Sequence, residues 1–117
     1  MKGEQIQLHT DIIDYISWRI RENIRVSEIA AYFGYNDKYI TTFFKKASGT
    51  SLKQYILNEK IELAKAMLND TNEPIAQIGY ELGFSDNHNF SSTFKKITGQ
   101  TPSEYRNSYA ERMLFHT

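Results

Sequence analysis

The amino-acid sequence predicts an all-α protein of seven helices, arranged as two small three-helix units joined by a long central helix. Three observations lead there. Apolar residues recur at helical rather than strand spacing along the whole chain. Glycines and small polar residues stand where helices would stop and start. The chain also repeats itself: shifted by about fifty residues, the stretch from Val26 to Asp37 falls on that from Ile75 to Asp86. After one residue inserted in the second copy, Phe44 to Tyr55 falls on Phe94 to Tyr105. Eight positions are identical and share their punctuation, so chance is a poor account of the match.

The opening helix is expected to be capped by Thr10, with Ile12, Ile13, Ile16 and Ile20 on one side. In the first repeat, Ser27 is the expected cap of a short helix that buries Ile29, Ala30 and Phe33. Gly34 ends it by supplying the left-handed backbone that other residues resist. Asn36 then caps a helix from about Asp37 to Ser48, with Ile40, Phe43, Phe44 and Ala47 apolar, and Gly49 stops it.

Between the repeats, Leu52 to Leu68 reads as uninterrupted helix, capped by Ser51 and closed by Asn69, Asp70, Thr71 and Asn72. It carries two opposed apolar stripes. Leu52, Tyr55, Ile56, Leu63 and Met67 form one; Leu57, Ile61, Ala64 and Leu68 form the other. Such a helix is expected to be packed from both sides, as a strut. In the second repeat Pro74 is preorganised for a first helical turn, Gly83 breaks the helix, Ser85 caps the next and Gly99 stops it. Thr101 and Pro102 open a final helix that runs past Tyr105 and Arg106, and the tail from Tyr109 to Thr117 either extends it or frays.

Composition narrows the function. The 117 residues include no cysteine, which excludes a disulfide scaffold, thiol catalysis and Cys-ligated zinc, and suits a reducing compartment. No apolar run reaches membrane-spanning length and the start is polar, so a soluble intracellular protein with no membrane partner is expected. Fourteen basic residues against fourteen acidic give zero net charge, which taken alone argues against nucleic acid.

A short helix, a glycine turn and a second helix, with a small residue (Ala30, Gly79) four positions before the glycine, is the helix-turn-helix pattern. The small residue allows close crossing, and the second helix is presented outward toward a DNA major groove. Two copies with matched spacing are far more specific than one. The second copy carries Ile75, Ile78-Gly79, Gly83-Phe84-Ser85-Asp86, Phe90, Phe94-Lys95-Lys96, Gly99, Thr101-Pro102 and Tyr105-Arg106. This run resembles the signature of the AraC/XylS-type bacterial transcription regulators, and the resemblance covers roughly residues 8 to 108.

The resemblance implies a single AraC-type DNA-binding domain over 1–117. Its parts would be a first helix-turn-helix subdomain at 8–50, a connecting helix at 51–70 and a second subdomain at 71–117. The partner it implies is double-stranded DNA, read by two recognition helices in successive major grooves about 10 bp apart. Carried over by position, the base-facing residues are Lys38, Tyr39, Thr41 and Thr42 in the first recognition helix. In the second they are Asn87, His88, Asn89, Ser91 and Ser92. Asn can bond adenine bidentately, Lys can reach guanine, and Ser or Thr can donate or accept. Lys45, Lys46, Lys95 and Lys96 are placed for backbone phosphates, which set register and affinity rather than sequence choice.

Many members of the family carry arginine at the positions of Thr42 and Ser92. Their loss here implies weaker or more shape-dependent recognition. Charge by segment answers the neutral total. Residues 24–56 hold Arg25, Lys38, Lys45, Lys46 and Lys53 against Glu28 and Asp37, a net of +3. Residues 73–106 hold Lys95, Lys96 and Arg106 against Glu73, Glu81, Asp86 and Glu104, a net of −1. The first repeat is therefore expected to anchor a complex.

The same residues admit blander roles. Most of the aromatic side chains sit at core spacing, Tyr39 being the exception inside a recognition helix. His9, His88 and His116 are scattered, so no metal and no cofactor is expected. The lysine pairs can also be read as solvated helix ends, and Glu59 and Glu62 as surface charge. An enzyme is not expected: some DNA-repair methyltransferases contain a similar domain, but their cysteines are absent here. A protein-interaction module that keeps the fold without binding DNA is the alternative. The family further implies RNA polymerase and a separate N-terminal effector-binding domain as partners, which 117 residues cannot also house. The chain is thus either a short stand-alone regulator or the C-terminal piece of a longer one, cytoplasmic, and on the nucleoid when bound. The isolated domain is expected to be a monomer, because no apolar stripe is left over for a partner.

Overall fold

The computed structural model describes residues 2–115, and among them it forms seven α-helices and no strand. They are α1 (Gly3–Trp18), α2 (Val26–Phe33), α3 (Asp37–Ser48), α4 (Leu52–Asp70), α5 (Ile75–Glu81), α6 (Asn87–Thr98) and α7 (Pro102–Phe115). None is long and apolar enough to cross a membrane. The chain divides into two compact units, Met1–Leu57 and Asn58–Thr117, so the central helix contributes to both.

The first unit closes around Ile12, Tyr15, Ile16, Ile29, Ala30, Ile40, Phe44, Leu52 and Ile56, with Phe33, Phe43 and Tyr55 packed against them. The second buries Ile61, Ala64 and Leu68 of α4 with Ile78, Leu82, Phe84, Phe90 and Phe94. The two apolar stripes of α4 are thus used largely in succession along its length. Leu52 and Ile56 serve one core, and Ile61, Ala64 and Leu68 the other, while Leu63 and Met67 are half-buried. The repeat is visible in the packing as well. Phe44 meets Tyr55 edge-on at 5.3 Å, and Phe94 meets Tyr105 edge-on at 5.5 Å.

Each helix pair turns in the same way. The Tyr35 N–H donates to the Ala30 carbonyl at 2.9 Å, and the Phe84 N–H to the Gly79 carbonyl at 3.1 Å. This link across five residues needs a left-handed residue between, supplied by Gly34 at φ 78° and Gly83 at φ 80°. Gly79 meets a second demand. A Cβ built there would lie 2.8 Å from Cγ and Cδ2 of Phe90 and 2.9 Å from its Cβ, all inside van der Waals contact. Its counterpart Ala30 is buried in the first crossing.

Several expected caps are corrected. The first helix starts at Gly3, not at Thr10, because nothing between Gln5 and Leu8 breaks it; the Gln5 side chain accepts from the Lys2 N–H. Thr10 lies in mid-helix, its hydroxyl donating to the Ile6 carbonyl at 3.0 Å. Helix α2 begins at Val26 with Arg25 at its cap and no side-chain cap bond, which places Ser27 inside the first turn. Pro74 precedes the first residue of α5 rather than occupying it. Asp86, not Ser85, caps α6, its Oδ1 accepting from the Asn89 N–H at 2.7 Å. Ser85 is the inserted residue of the second copy. It lengthens the turn, so Asp86 takes the place that Asn36 holds in the first.

Asn36 caps α3 as expected, accepting from the Tyr39 N–H at 2.8 Å, and Ser51 accepts from Gln54 at the start of α4. That helix continues through Asn69 and Asp70 before it stops. The tail extends α7 to Phe115; the expectations for His116 and Thr117 lie outside the described residues.

Two basic side chains work inside the second unit. Lys60 is 4% exposed, and its Nζ donates to the Leu82 carbonyl at the end of α5, at 2.6 Å. Arg106 donates from Nε to the Leu68 carbonyl at 3.1 Å and from Nη2 to the Thr71 carbonyl at 3.3 Å, closing the last turn of α4. Both satisfy carbonyls that a helix end leaves without a donor.

At the start of α7, Thr101 Oγ1 accepts from the Glu104 N–H at 3.1 Å, and Glu104 Oε1 accepts from the Thr101 N–H at 2.8 Å. This reciprocal cap holds the Glu104 carboxyl below its ordinary value of 4.5. The Thr101 backbone bond contributes most, then the Thr101 hydroxyl, with the Lys95 charge adding to both.

These contacts make two effects measurable. Gly79→Ala is expected to destabilise the fold by about 1–3 kcal/mol through forced overpacking against Phe90, read as a lower midpoint in urea unfolding. A carboxyl whose folded pKa is lowered contributes stability that is full above its unfolded value and is lost as pH falls through the folded one. Glu104→Gln keeps an acceptor at the cap. Wild type is therefore expected to be more stable than the variant above pH 4.5, with the difference closing as the pH is taken further down in thermal melts.

Candidate nucleic-acid interface

The second helix of each pair is anchored by two residues one turn apart, Ile40 and Phe44 in α3, Phe90 and Phe94 in α6, all four fully buried. At about 100° per residue this fixes what faces outward. Thr42 and Ser92 point directly away from the anchors. Lys38, Lys45 and Lys46 flank Thr42, and His88, Lys95 and Lys96 flank Ser92; all of these side chains are exposed. Tyr39 and Thr41 stand at the two edges of the first strip, Asn89 and Ser91 at those of the second, with Ser91 half-buried. Asn87 stands apart from the strip, exposed at the tip of α6 but turned toward the anchored side.

Local bonding decides what these groups offer. Thr41 Oγ1 donates to the carbonyls of Asp37 and Lys38 at 3.0 and 3.1 Å. Ser92 Oγ donates to those of His88 and Asn89, at 2.9 and 3.4 Å. With their hydrogens so occupied, both hydroxyls present lone pairs outward, which suits an amino group on a base edge. Asn89 Nδ2 donates to Ser85 Oγ at 3.1 Å, which orients the amide.

The lysine pairs end their helices, where positive charge also complements the helix dipole. In the first unit a third lysine, outside the pair expected from the sequence to take phosphates, joins them. A groove of about 470 Å³ is lined by Thr41, Thr42, Lys45, Lys46, Ser51, Leu52 and Lys53. Lys53 brings a third ammonium to it from the first turn of α4; the matching residue of the second copy is Ser103. The signal is present in the sequence, since Gly49 turns the chain sharply and Lys53 follows the Ser51 cap by two residues. Arg106, by contrast, counts toward the second repeat in the segment charges but is committed to the carbonyls closing α4.

Comparison with known proteins agrees with this geometry. The family described as a helix-turn-helix domain matches residues 20–108. An HTH-type transcriptional regulator of Staphylococcus aureus is 35% identical over 95 residues, which is 81% of this chain and 13% of the relative's own length. A transcriptional regulator of Chromobacterium violaceum, solved as one of the AraC-type DNA-binding domain-containing proteins, superposes with a TM-score of 0.81 at 29% identity. That match covers 93% of this chain and 97% of the other. The DNA-binding domain of AdpA, solved in complex with a target DNA, shares the fold with a TM-score of 0.84 at 17% identity, over 89% and 94% of the two chains. With both helix pairs, their glycine turns and their outward strips in place, the chain belongs to the AraC-type helix-turn-helix family.

Proposed function

We propose that the chain is the DNA-binding part of a transcription regulator and reads double-stranded DNA with α3 and α6 in successive major grooves. The observation that carries this reading is the duplication itself. Each copy buries one pair of residues on its second helix and turns a strip of polar, hydrogen-bonding side chains and lysines outward. On this reading Lys38, Tyr39, Thr41 and Thr42 face bases in one groove, and His88, Asn89, Ser91 and Ser92 in the next, which Asn87 reaches from the tip of α6 rather than from the strip. Lys45, Lys46, Lys95 and Lys96 take phosphates, and Lys53 joins the first pair. Residues 8–50 and 71–117 serve as the two reading subdomains and 51–70 as their connector. It is a binding function and not a catalytic one, exercised by a monomeric domain in the cytoplasm. RNA polymerase and an effector-binding domain are the protein partners the reading assigns.

A second reading, as a protein-interaction module, draws on one observation. Trp18 and Tyr32 are 86% and 64% exposed and share a groove of about 440 Å³ with Asp11, Asp14 and Arg19. Selection from a random duplex pool at low and moderate salt separates the two. The DNA reading expects a bipartite motif with halves roughly 10 bp apart. Absence of enrichment at low salt would favour the interaction module.

The charge distribution gives a sharper expectation. Removing both lysines of the first pair (Lys45→Ala with Lys46→Ala) is expected to weaken binding more than the same change at Lys95 and Lys96. It should also lower the slope of log K against log salt by about two. Equal losses from the two double variants, titrated by fluorescence anisotropy, would overturn the ranking of the two units.

A further inference from the structure

Along one edge of α3 and the turn before it, three rings are stacked in a ladder. Tyr35 lies against Tyr39 with centroids 4.6 Å apart and planes 17° from parallel. Tyr39 faces Phe43 at 6.1 Å and 6°. Tyr35 comes from four residues before Tyr39 and Phe43 from four after; the shorter Tyr35 pair overlaps face to face, whereas the longer Phe43 pair is parallel and offset. The backbone under the ladder is pinned as well, through the Tyr35 N–H to Ala30 and the Tyr39 N–H to Asn36. Tyr35 and Tyr39 are nevertheless each 42% exposed.

An exposed tyrosine on a nucleic-acid-facing helix can stack on an unpaired base, donate its hydroxyl to a phosphate, or present its rim to a base edge. Stacking needs a free ring face. In a duplex the bases are already paired and stacked on one another, and Tyr35 covers one face of Tyr39 while Phe43 lies parallel but offset beside it, which leaves the rim and the hydroxyl. In the major groove thymine alone presents a C5-methyl group, beside its O4 acceptor. The electropositive rim of an aromatic ring suits that combination, an apolar contact next to an oxygen. The second unit has no such ladder. There Phe84 is turned into the core against Phe90 at 5.1 Å, Asn89 stands in the place of Tyr39, and Thr93 in that of Phe43.

We propose that the first recognition helix selects a thymine through the rim of Tyr39, and that Tyr35 is a positioning residue that holds this rim in place. The inference rests on the DNA-binding reading above and specifies how one of its residues discriminates. The two units then read by different chemistry, an aromatic rim in one and an amide in the other.

The test uses the duplex recovered by selection, with each thymine replaced in turn by deoxyuridine, which deletes only the methyl group. Wild type is expected to lose roughly three- to fivefold in affinity at one thymine of the first helix's half-site, the size of one buried methyl group. Tyr39→Ala should bring that thymine-to-uracil ratio to one, whereas Tyr39→Phe should keep it. Tyr35→Phe should keep it too, and Tyr35→Ala should lower it while the far-ultraviolet helix signal and the salt slope stay unchanged. A ratio near one at every thymine, in a chain that still binds the duplex selectively, would overturn the proposal and leave the DNA-binding reading intact. So would a Tyr39→Phe variant as impaired as Tyr39→Ala, since that result assigns the hydroxyl to a phosphate. Failure to select any duplex would remove both.

Discussion

How closely two helices can cross decides what each unit is able to present. In the second unit the crossing of α5 over α6 leaves no room for even a methyl group, because the Phe90 ring and its Cβ occupy the space where the side chain of residue 79 would begin. Phe90 is also one of the two residues that anchor α6, so the same contact that excludes a side chain fixes which way Ser92 points. The first unit solves the same problem with Ala30 and the smaller Ile40. In both, the carbonyl of the small residue accepts from the first residue beyond the glycine, so crossing and turn are tied to one backbone position. Close packing, reverse turn and outward aim are one constraint seen from three sides.

The units share this frame and differ in where they put charge. A sum over the sequence treats every lysine and arginine alike, yet two of those in the second unit are engaged with the protein's own backbone. Lys60 closes α5 from within the core and Arg106 closes α4, each bonded to backbone carbonyls. What remains on the outward face of α6 is the pair Lys95 and Lys96. The first unit adds Lys38 and Lys53 to its own pair, and the groove beside α3 gathers three ammonium groups. Since Arg106 is one of the three positive charges counted for residues 73–106, the imbalance seen in the segment charges is larger at the surface than in the arithmetic.

The extent to which the sequence is legible follows from the range of each interaction. Helical spacing marks the anchors correctly: Ile40, Phe44, Phe90 and Phe94 are all fully buried, and an apolar residue at every third or fourth position is the mark of a helix face turned inward. Asn36 is legible for a related reason, because its cap bond spans only three residues. Thr10 and Ser27 mislead because a hydroxyl near an expected helix start can equally bond back to a carbonyl one turn earlier, as Thr10 does, or cap nothing. Ser85 misleads because aligning the two copies puts the insertion after it. Lys60 is hidden because its partner is 22 residues away, although it continues the buried series Ile56, Lys60, Ala64 at four-residue spacing. The aromatic ladder is implied by the spacing of Tyr35, Tyr39 and Phe43, but stacking depends on the turn geometry, which spacing does not specify.

The extra residue at Ser85 bears on how such a protein can change length. Had it entered α6 instead, every position beyond it would have swung about 100° around the helix axis, carrying polar side chains inward and Phe94 into solvent. In the turn it does neither: Asp86 becomes the cap, Phe90 and Phe94 keep their places, and the outward strip keeps its phase. The turn is thus the segment that absorbs insertions. A recognition helix transplanted from one member of the family to another would have to travel with the turn in front of it, because that turn sets the helix's phase.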